Sequence, residues 1–125
     1  MNVVDSSGWL EYFAGSRRAR HFEKAILATD ELLVPAICVF EVFKIVSRER
    51  SEADALFAIS AMQEGILVEI DTRLAIEGAR LSLEHRLPMA DSLILAVTRQ
   101  FDATLWTQDA DFKGLEDVEF FSVRQ

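Results

Sequence analysis

The chain has 125 residues and a formal net charge of −8 at pH 7. This length suits one domain with a hydrophobic core and is too short for two. Half of the residues are hydrophobic, so we expect a partner to cover some apolar surface. The charge disfavours a module that binds nucleic acid through phosphate contacts, but not an enzyme whose acids gather around metal ions.

The sequence also restricts the compartment and the redox chemistry. No apolar run reaches the roughly 18 residues of a membrane span, and residues 1–10 lack the basic and apolar regions of a signal peptide. Cys38 is the single cysteine and there are two histidines, which excludes an internal disulfide and disfavours a zinc site. We therefore expect a cytoplasmic protein without a membrane segment.

Short apolar segments alternate with amphipathic ones along the chain. In chain order we predict a strand at 2–5, helices at 6–15 and 16–29, a strand at 31–35, helices at 36–50 and 51–65, a strand at 66–71, helices at 72–86 and 88–101, and strands at 103–109 and 118–123. Ser16 and Ser51 are the expected N-caps, and Gly15 and Gly65 the expected helix ends. The alternation predicts a single α/β domain with a mostly parallel sheet.

Two aspartates follow predicted strands. Asp5 ends the first strand and Asp109 follows the fourth. Ligands of open α/β sheets bind beyond the carboxyl ends of the strands, where the strand order reverses, so these two acids would face each other there. Local roles are equally open: Asp5 could cap the next helix, and Asp109 with Asp111 could form an Asx-type turn.

Asp91 lies in the first turn of the last predicted helix. On a helical wheel of about 100° per residue, Ser92 and Arg99 mark the face expected to be exposed, and Asp91 points away from both, toward Ile94 and Leu95. The helix dipole explains an acid in the first turn, but not the side that it faces. Because a carboxylate among apolar groups is costly without a positive partner, we expect a cation beside it.

Glu41 admits two interpretations of equal weight. It shares a helix face with Ile37, Lys44 and Arg48, which is typical of a solvated stripe with a Glu41–Lys44 pair. The same face could instead line a charged cleft.

Together these acids form a set of oxygen ligands without His or Cys. Such a set suits Mg²⁺ or Mn²⁺, and carboxylate-held metals typically serve phosphoryl chemistry. The glycine-rich loops GxxxxGK[ST] and GxGxxG are both absent from the sequence, which disfavours the nucleotide sites that those loops build.

Three segments carry a resemblance to a known family. "VVDSSGWLEYF", "LLVPAICVFEVFK" and "LPMADSLILAVTRQFDATLWTQDADF", in this order and spacing, resemble the PIN domains, and most closely the VapC-type toxin ribonucleases of bacterial and archaeal toxin–antitoxin pairs. The likeness covers nearly the whole chain. It implies a Rossmann-like PIN domain over residues 1–125, with a mostly parallel five-stranded sheet covered by helices on both faces.

The resemblance also implies a set of site residues. It makes Asp5, Glu41, Asp91 and Asp109 the catalytic and metal-holding acids, and it tips the balance for Glu41 toward function. Asp111 is a secondary candidate. Hydroxyls at Ser6 or Ser7 and at Thr107 would orient waters or carboxylates.

The implied activity is a Mg²⁺- or Mn²⁺-dependent endoribonuclease. The ion would activate a water for in-line attack on an RNA phosphodiester, leaving a 5′-phosphate and a 3′-hydroxyl. The implied partners are a second copy of the chain and a VapB-type antitoxin that inserts a segment into the acidic pocket. Candidate RNA contacts, each explained more simply as an ordinary surface charge, are Lys44, Arg48, Arg86 and Arg99.

Other classes remain as alternatives. A phosphotransfer receiver would need adjacent acids after the first strand and a lysine after the last, and an aspartyl-phosphate phosphatase would need D-x-D; "DSS" supplies neither acidic pattern. A non-catalytic PIN-like protein-binding module, and a PIN nuclease with an RNA-processing or DNA-directed role, both stay open.

Overall fold

The computed structural model describes residues 1–123, so the predicted end of the domain at 124–125 lies outside the described residues. The strands are β1 (Asn2–Val4), β2 (Leu32–Pro35), β3 (Ile66–Val68), β4 (Thr104–Thr107) and β5 (Val118–Phe120). The α-helices are α1 (Ser6–Ala14), α2 (Arg20–Leu27), α3 (Ala36–Glu49), α4 (Glu52–Met62), α5 (Thr72–His85) and α6 (Met89–Gln100).

The five strands form one parallel sheet in the order β3-β2-β1-β4-β5. The order reverses between β1, the central strand, and its neighbour β4, and their carboxyl ends therefore meet at a topological switch point. Val3 and Val4 are both fully buried. Because consecutive strand residues point to opposite faces, helices must cover both sides of the sheet. The predicted α/β fold is confirmed.

The helices pack most closely in two consecutive pairs, α3 with α4 and α5 with α6. Gly78 on α5 allows the second pair to approach, since a Cβ there would lie 2.8 Å from Cδ2 of Leu93 on α6. This contact fixes α6, the helix that carries Asp91. Among residues 1–123 no helix is both long and apolar enough to cross a bilayer.

The chain between β1 and β2 differs from the prediction. The expected helix at 16–29 is broken into a 3-10 turn, Arg17–Ala19, and the short helix α2. Ser16 makes no capping hydrogen bond; its hydroxyl donates to the Glu11 carboxylate instead. Two other signals are confirmed: Gly15 ends α1 with φ +68°, and Ser51 caps α4.

Candidate metal centre

Asp5 lies at the carboxyl end of β1 and is 2% exposed. Its Oδ1 accepts hydrogen bonds from the backbone N–H of Gly8 (2.9 Å) and the hydroxyl of Ser7 (2.8 Å), so it does cap α1. Its Oδ2 accepts from the hydroxyl of Thr107 (2.6 Å). Burial raises the pKa of Asp5 to about 6 and outweighs these three hydrogen bonds, which lower it.

Thr107 connects the carboxyl ends of β1 and β4. While it donates to Asp5, its Oγ1 accepts from the backbone N–H of Asp109 at 2.9 Å. The side chain is fully buried, so the hydroxyl has no access to water as a substitute partner. Thr107 thereby holds the acid after β1 and the acid after β4 in a fixed relation.

Three further carboxylates converge beside Asp5. One oxygen each of Asp91, Asp109 and Asp111 can be chosen so that all three lie within 4.8 Å of one another. Asp109 Oδ1 also accepts from the backbone N–H of Asp111 (2.9 Å), so the predicted Asx-type turn is present within the cluster. We call Asp91, Asp109 and Asp111 the outer acid group. Asp5 and Glu41 are not part of it.

Asp91 is half-buried and has acids as its charged neighbours. Its pKa is raised to about 7, first by burial and then by the charges of Asp109, Asp111 and Asp5. The expected setting of apolar neighbours is therefore incomplete, because carboxylates line the side that Asp91 faces. Asp111, a secondary candidate from the sequence, meets the same 4.8 Å limit to Asp91 as Asp109 does.

The expected exposure of Ser92 is wrong. Ser92 is 2% exposed and its hydroxyl donates to the carbonyl of Met89 at 2.8 Å. The helical wheel failed here because it cannot show that α5 packs along this face of α6. Arg99, the second marker of that face, is half-buried.

Glu41 reaches the same region through a serine. Its Oε1 accepts from the hydroxyl of Ser6 at 2.5 Å, which leaves Ser7 to bond Asp5. The Glu41–Lys44 ion pair does not form among the described residues; Lys44 Nζ instead lies 5.8 Å from the ring centre of Phe40. The two serines after Asp5 thus orient two different acids.

Cys38 is a neighbour of the site that sequence reasoning missed. Its fully buried thiol lies 3.8 Å from the carbonyl oxygen of Val4, and burial raises the pKa of the thiol. The charges of Asp5, Glu41 and Asp91 raise it further, which places all three acids around this one side chain. The spacing of Cys38 three residues before Glu41, one helical turn, was the available signal.

The donor set fits a hard divalent cation. All of the candidate ligands are carboxylates, and none of the ion pairs among residues 1–123 involves them. The pKa of Asp91 is raised first by burial and then by the neighbouring acids, and a bound cation would offset both costs of the charged form. Oxygen donors of this kind suit Mg²⁺ or Mn²⁺ rather than zinc.

The four candidate RNA contacts lie at varied positions. Lys44 is exposed, and Arg48 is exposed and pairs with Glu49 at 3.2 Å. Arg86 is the exposed residue that ends α5, in a left-handed conformation. Arg99 lies eight residues beyond Asp91, about 12 Å along α6. Their contact with RNA stays a prediction.

This fold and acid arrangement define a class of proteins. The PIN-domain family model matches residues 3–118. The chain belongs to the PIN-domain family. No curated protein sequence matches it.

Solved structures share the fold. A toxin–antitoxin complex from Klebsiella pneumoniae matches with a TM-score of 0.77 and 22% identity, covering 95% of this chain and 96% of the other. The sarcin-ricin-loop-cleaving toxin VapC20 of Mycobacterium tuberculosis matches with 0.78 and 15%, covering 93% and 95%. FitAcB from Neisseria gonorrhoeae matches with 0.72 and 20%, covering 98% and 97%.

Proposed function

We propose that this PIN domain, assigned to residues 1–125, is a metal-dependent endoribonuclease and the toxin of a toxin–antitoxin pair. The observation that carries the proposal is the outer acid group beside Asp5 at the switch point of the sheet, with no ion pair to a basic side chain in the described part of the chain. Structural carboxylates are normally paired or solvated. Acids gathered against each other suit a site for a cation.

The proposed ion is Mg²⁺, with Mn²⁺ as a substitute. Asp91, Asp109 and Asp5 would hold it, with Glu41 and Asp111 completing the set. When bound, such an ion lowers the pKa of a coordinated water and stabilises charge on the attacked phosphate. Hydrolysis by water leaves a 5′-phosphate and a 3′-hydroxyl.

The chain's own residues organise this chemistry. Ser7, Gly8 and Thr107 fix the Asp5 carboxylate, and Thr107 fixes the backbone of Asp109. Burial and the neighbouring acids raise the pKa of Asp91 to about 7, so this carboxyl keeps its proton to higher pH than an ordinary aspartate and must lose it to serve as a ligand. Asp91 would therefore lose a proton when it acts as a ligand, and cation binding would be pH-dependent.

The proposed partners are an antitoxin of the VapB type and a second copy of the chain. One of the structural neighbours described above is a toxin–antitoxin complex, which supports the antitoxin. A cavity of about 630 Å³ between α1, α3 and α4 offers an antitoxin segment a place to bind. Apolar side chains, among them Leu10, Phe13, Val46 and Phe57, line it together with the charged side chains Arg48, Glu49, Arg50 and Asp54. Both assemblies, and a cytoplasmic location, belong to this proposal.

A cleavage assay tests the activity. Purified protein should cut a labelled RNA in Mg²⁺, lose activity in EDTA, and regain it with Mn²⁺. Asp91→Asn should lower the rate by about 100-fold or more, the scale of losing one stabilising group in an active site. Asp30→Asn is the matched control, since Asp30 is an exposed acid preceding β2, at the opposite edge of the sheet.

Three outcomes separate the alternatives. Cleavage that survives in Asp91→Asn would contradict the metal site. RNA that stays intact while the protein binds a partner would favour the non-catalytic module. Cleavage of DNA in preference to RNA would favour a DNA-directed nuclease. For the toxin role, induced expression should arrest growth, and Asp91→Asn should relieve the arrest.

A further inference from the structure

A cluster of basic side chains lies in the broken segment between α1 and α2. Ser16, Arg17, Arg18, Arg20 and His21 line a cavity of about 450 Å³. Three arginines within four positions contrast with a chain whose net charge is −8. We call these five residues the basic loop. Nothing in the nuclease mechanism above uses it.

Two of the arginines have free guanidinium groups. Arg17 and Arg20 are exposed, and within residues 1–123 neither forms an ion pair or a side-chain hydrogen bond, although Glu23 lies one turn beyond Arg20. Arg18 is committed elsewhere: it donates to the carbonyl of Val123 at 2.8 Å and faces the charge of Glu11. The cavity thus has one anchored arginine and two that are available to a ligand.

The basic loop is tied directly to the acid site. Ser16 donates to Glu11, and Glu11 Oε2 accepts from Nε2 of Gln108 at 2.8 Å. Gln108 is the residue between Thr107 and Asp109. Two hydrogen bonds and one peptide bond therefore connect the cavity to a candidate metal ligand.

A second connection runs through aromatic rings. His21 stacks on Phe121, with ring centres 4.8 Å apart and planes 15° apart. The backbone N–H of Phe121 donates to the carbonyl of Thr107 at 2.8 Å. The basic loop is therefore held at the same edge of the sheet as the acids.

We propose that the basic loop binds backbone phosphates of single-stranded RNA next to the acid site, with Arg17 and Arg20 as its phosphate contacts. The proposal rests on the nuclease function proposed above. Arginine presents a planar, permanently charged fork that matches phosphate oxygens. A chain with a strong negative charge repels RNA overall, so a local cationic surface is needed to hold the strand beside the acids.

RNA binding without catalysis tests the basic loop. The full chain is titrated in EDTA against a fluorescein-labelled single-stranded RNA of mixed sequence, and anisotropy is followed over a range of salt concentrations. The double variant Arg17→Ala/Arg20→Ala should bind about tenfold more weakly at low salt. Its plot of log K against log salt should be shallower by about 1.4, or about 0.7 for each lost phosphate contact.

A charge-matched control isolates the loop from the net charge. Arg73→Ala/Arg80→Ala removes two exposed arginines from α5, of which Arg80 pairs with Glu77 at 3.3 Å. This variant should change the affinity by less than about twofold, since it lowers the net charge equally but leaves the basic loop intact. Thermal melts should show both double variants close to the wild type in stability, because all four side chains are exposed and an exposed ion pair such as Arg80–Glu77 contributes little. Equal weakening by the two double variants, or no weakening by Arg17→Ala/Arg20→Ala, would overturn the proposal.

Two more measurements separate the possible failures. In Mg²⁺, Arg17→Ala/Arg20→Ala should raise KM for RNA and leave kcat unchanged. If the wild type cleaves RNA and this variant binds RNA unchanged, the basic-loop proposal fails and the nuclease proposal stands. If RNA binding depends on the basic loop but the wild type cleaves no RNA, the nuclease proposal fails and the loop remains an RNA-binding surface. If the variant loses binding to poly-glutamate but keeps its binding to RNA, the loop recognises an acidic polypeptide and the proposal fails.

Discussion

Two sets of carboxylates at one edge of the sheet are stabilised in opposite ways. Asp5 is buried and accepts three hydrogen bonds from neutral donors. The outer acid group, Asp91, Asp109 and Asp111, has carboxylates as its nearest charged neighbours. The fold alone therefore fixes Asp5, which we call the inner acid. The carboxylates of the outer acid group repel one another, and a cation can offset that repulsion. Within one site, Asp5 is held in place by hydrogen bonds, whereas the outer acid group supplies uncompensated negative charge.

Removal of the inner acid should cost the most stability. Near pH 4, where burial of the Asp5 charge costs little because its pKa is raised to about 6, we expect Asp5→Ala to lower the free energy of unfolding by about 3 kcal/mol. The change removes an N-cap and leaves the buried Thr107 hydroxyl without its acceptor. Asp71→Ala is the control. Asp71 caps α5 through the backbone N–H of Leu74 and hydrogen-bonds no side chain among residues 1–123, so its loss should cost about 1 kcal/mol. Equal losses in urea denaturation would mean that Asp5 is a simple cap.

Breaking the link between the strands should have a smaller effect on stability. Thr107→Val keeps the shape but removes the donor to Asp5 and the acceptor of the Asp109 N–H, which should cost about 1–2 kcal/mol. Cleavage should fall by about 10-fold, the scale of losing a group that orients a metal ligand. Thr107→Ser retains the hydroxyl and should keep most of the activity. A fully active Thr107→Val would show that the link does not position Asp109.

Removal of an acid from the outer group should change stability with the opposite sign. The pKa of Asp91 is raised from 3.8 to about 7 in the folded protein, so the folded state holds the proton more tightly than the unfolded state. Stability from this group is therefore present below about pH 4 and is lost as pH rises toward 7. Above pH 7, metal-free Asp91→Asn should melt at a higher temperature than the wild type.

The effect of Asp91→Asn on stability should depend on pH. Below pH 4 the difference between Asp91→Asn and the wild type should shrink, because the carboxyl is then neutral in both states. Asp30→Asn should follow the wild type at every pH. Lower melting temperatures of Asp91→Asn above pH 7 would make Asp91 a structural residue.

The strands and the convergence of acids were predictable from the sequence. Short apolar runs between helices indicated a parallel sheet, and the strand-end rule placed Asp5 and Asp109 at a common edge. Both expectations depend on features that can be located in the sequence itself: the apolar runs and the residues that follow them. The break in the helix expected at 16–29 was not predictable in this way. Ser16 looks like an N-cap in the sequence, but its hydroxyl donates to the side chain of Glu11.

The internal wiring of the site was outside the reach of the sequence. The split roles of Ser6 and Ser7, and the burial of Ser92 against α5, depend on how helices pack across the sheet. A wheel drawn for one helix contains no information about its neighbour. The proximity of Asp111 to Asp91 has the same origin, since the turn after β4 and the start of α6 are far apart in the chain.

The central claim is that the outer acid group and Asp5 bind a divalent cation. A crystal structure of the protein grown with Mn²⁺, with anomalous data collected near the manganese absorption edge, tests this most directly. The account predicts an anomalous peak for a Mn²⁺ ion coordinated by oxygens of Asp91 and Asp109, and no such peak in Asp91→Asn crystals. Wild-type crystals without a peak at this site, with the same carboxylates paired to arginine or lysine side chains, would contradict it.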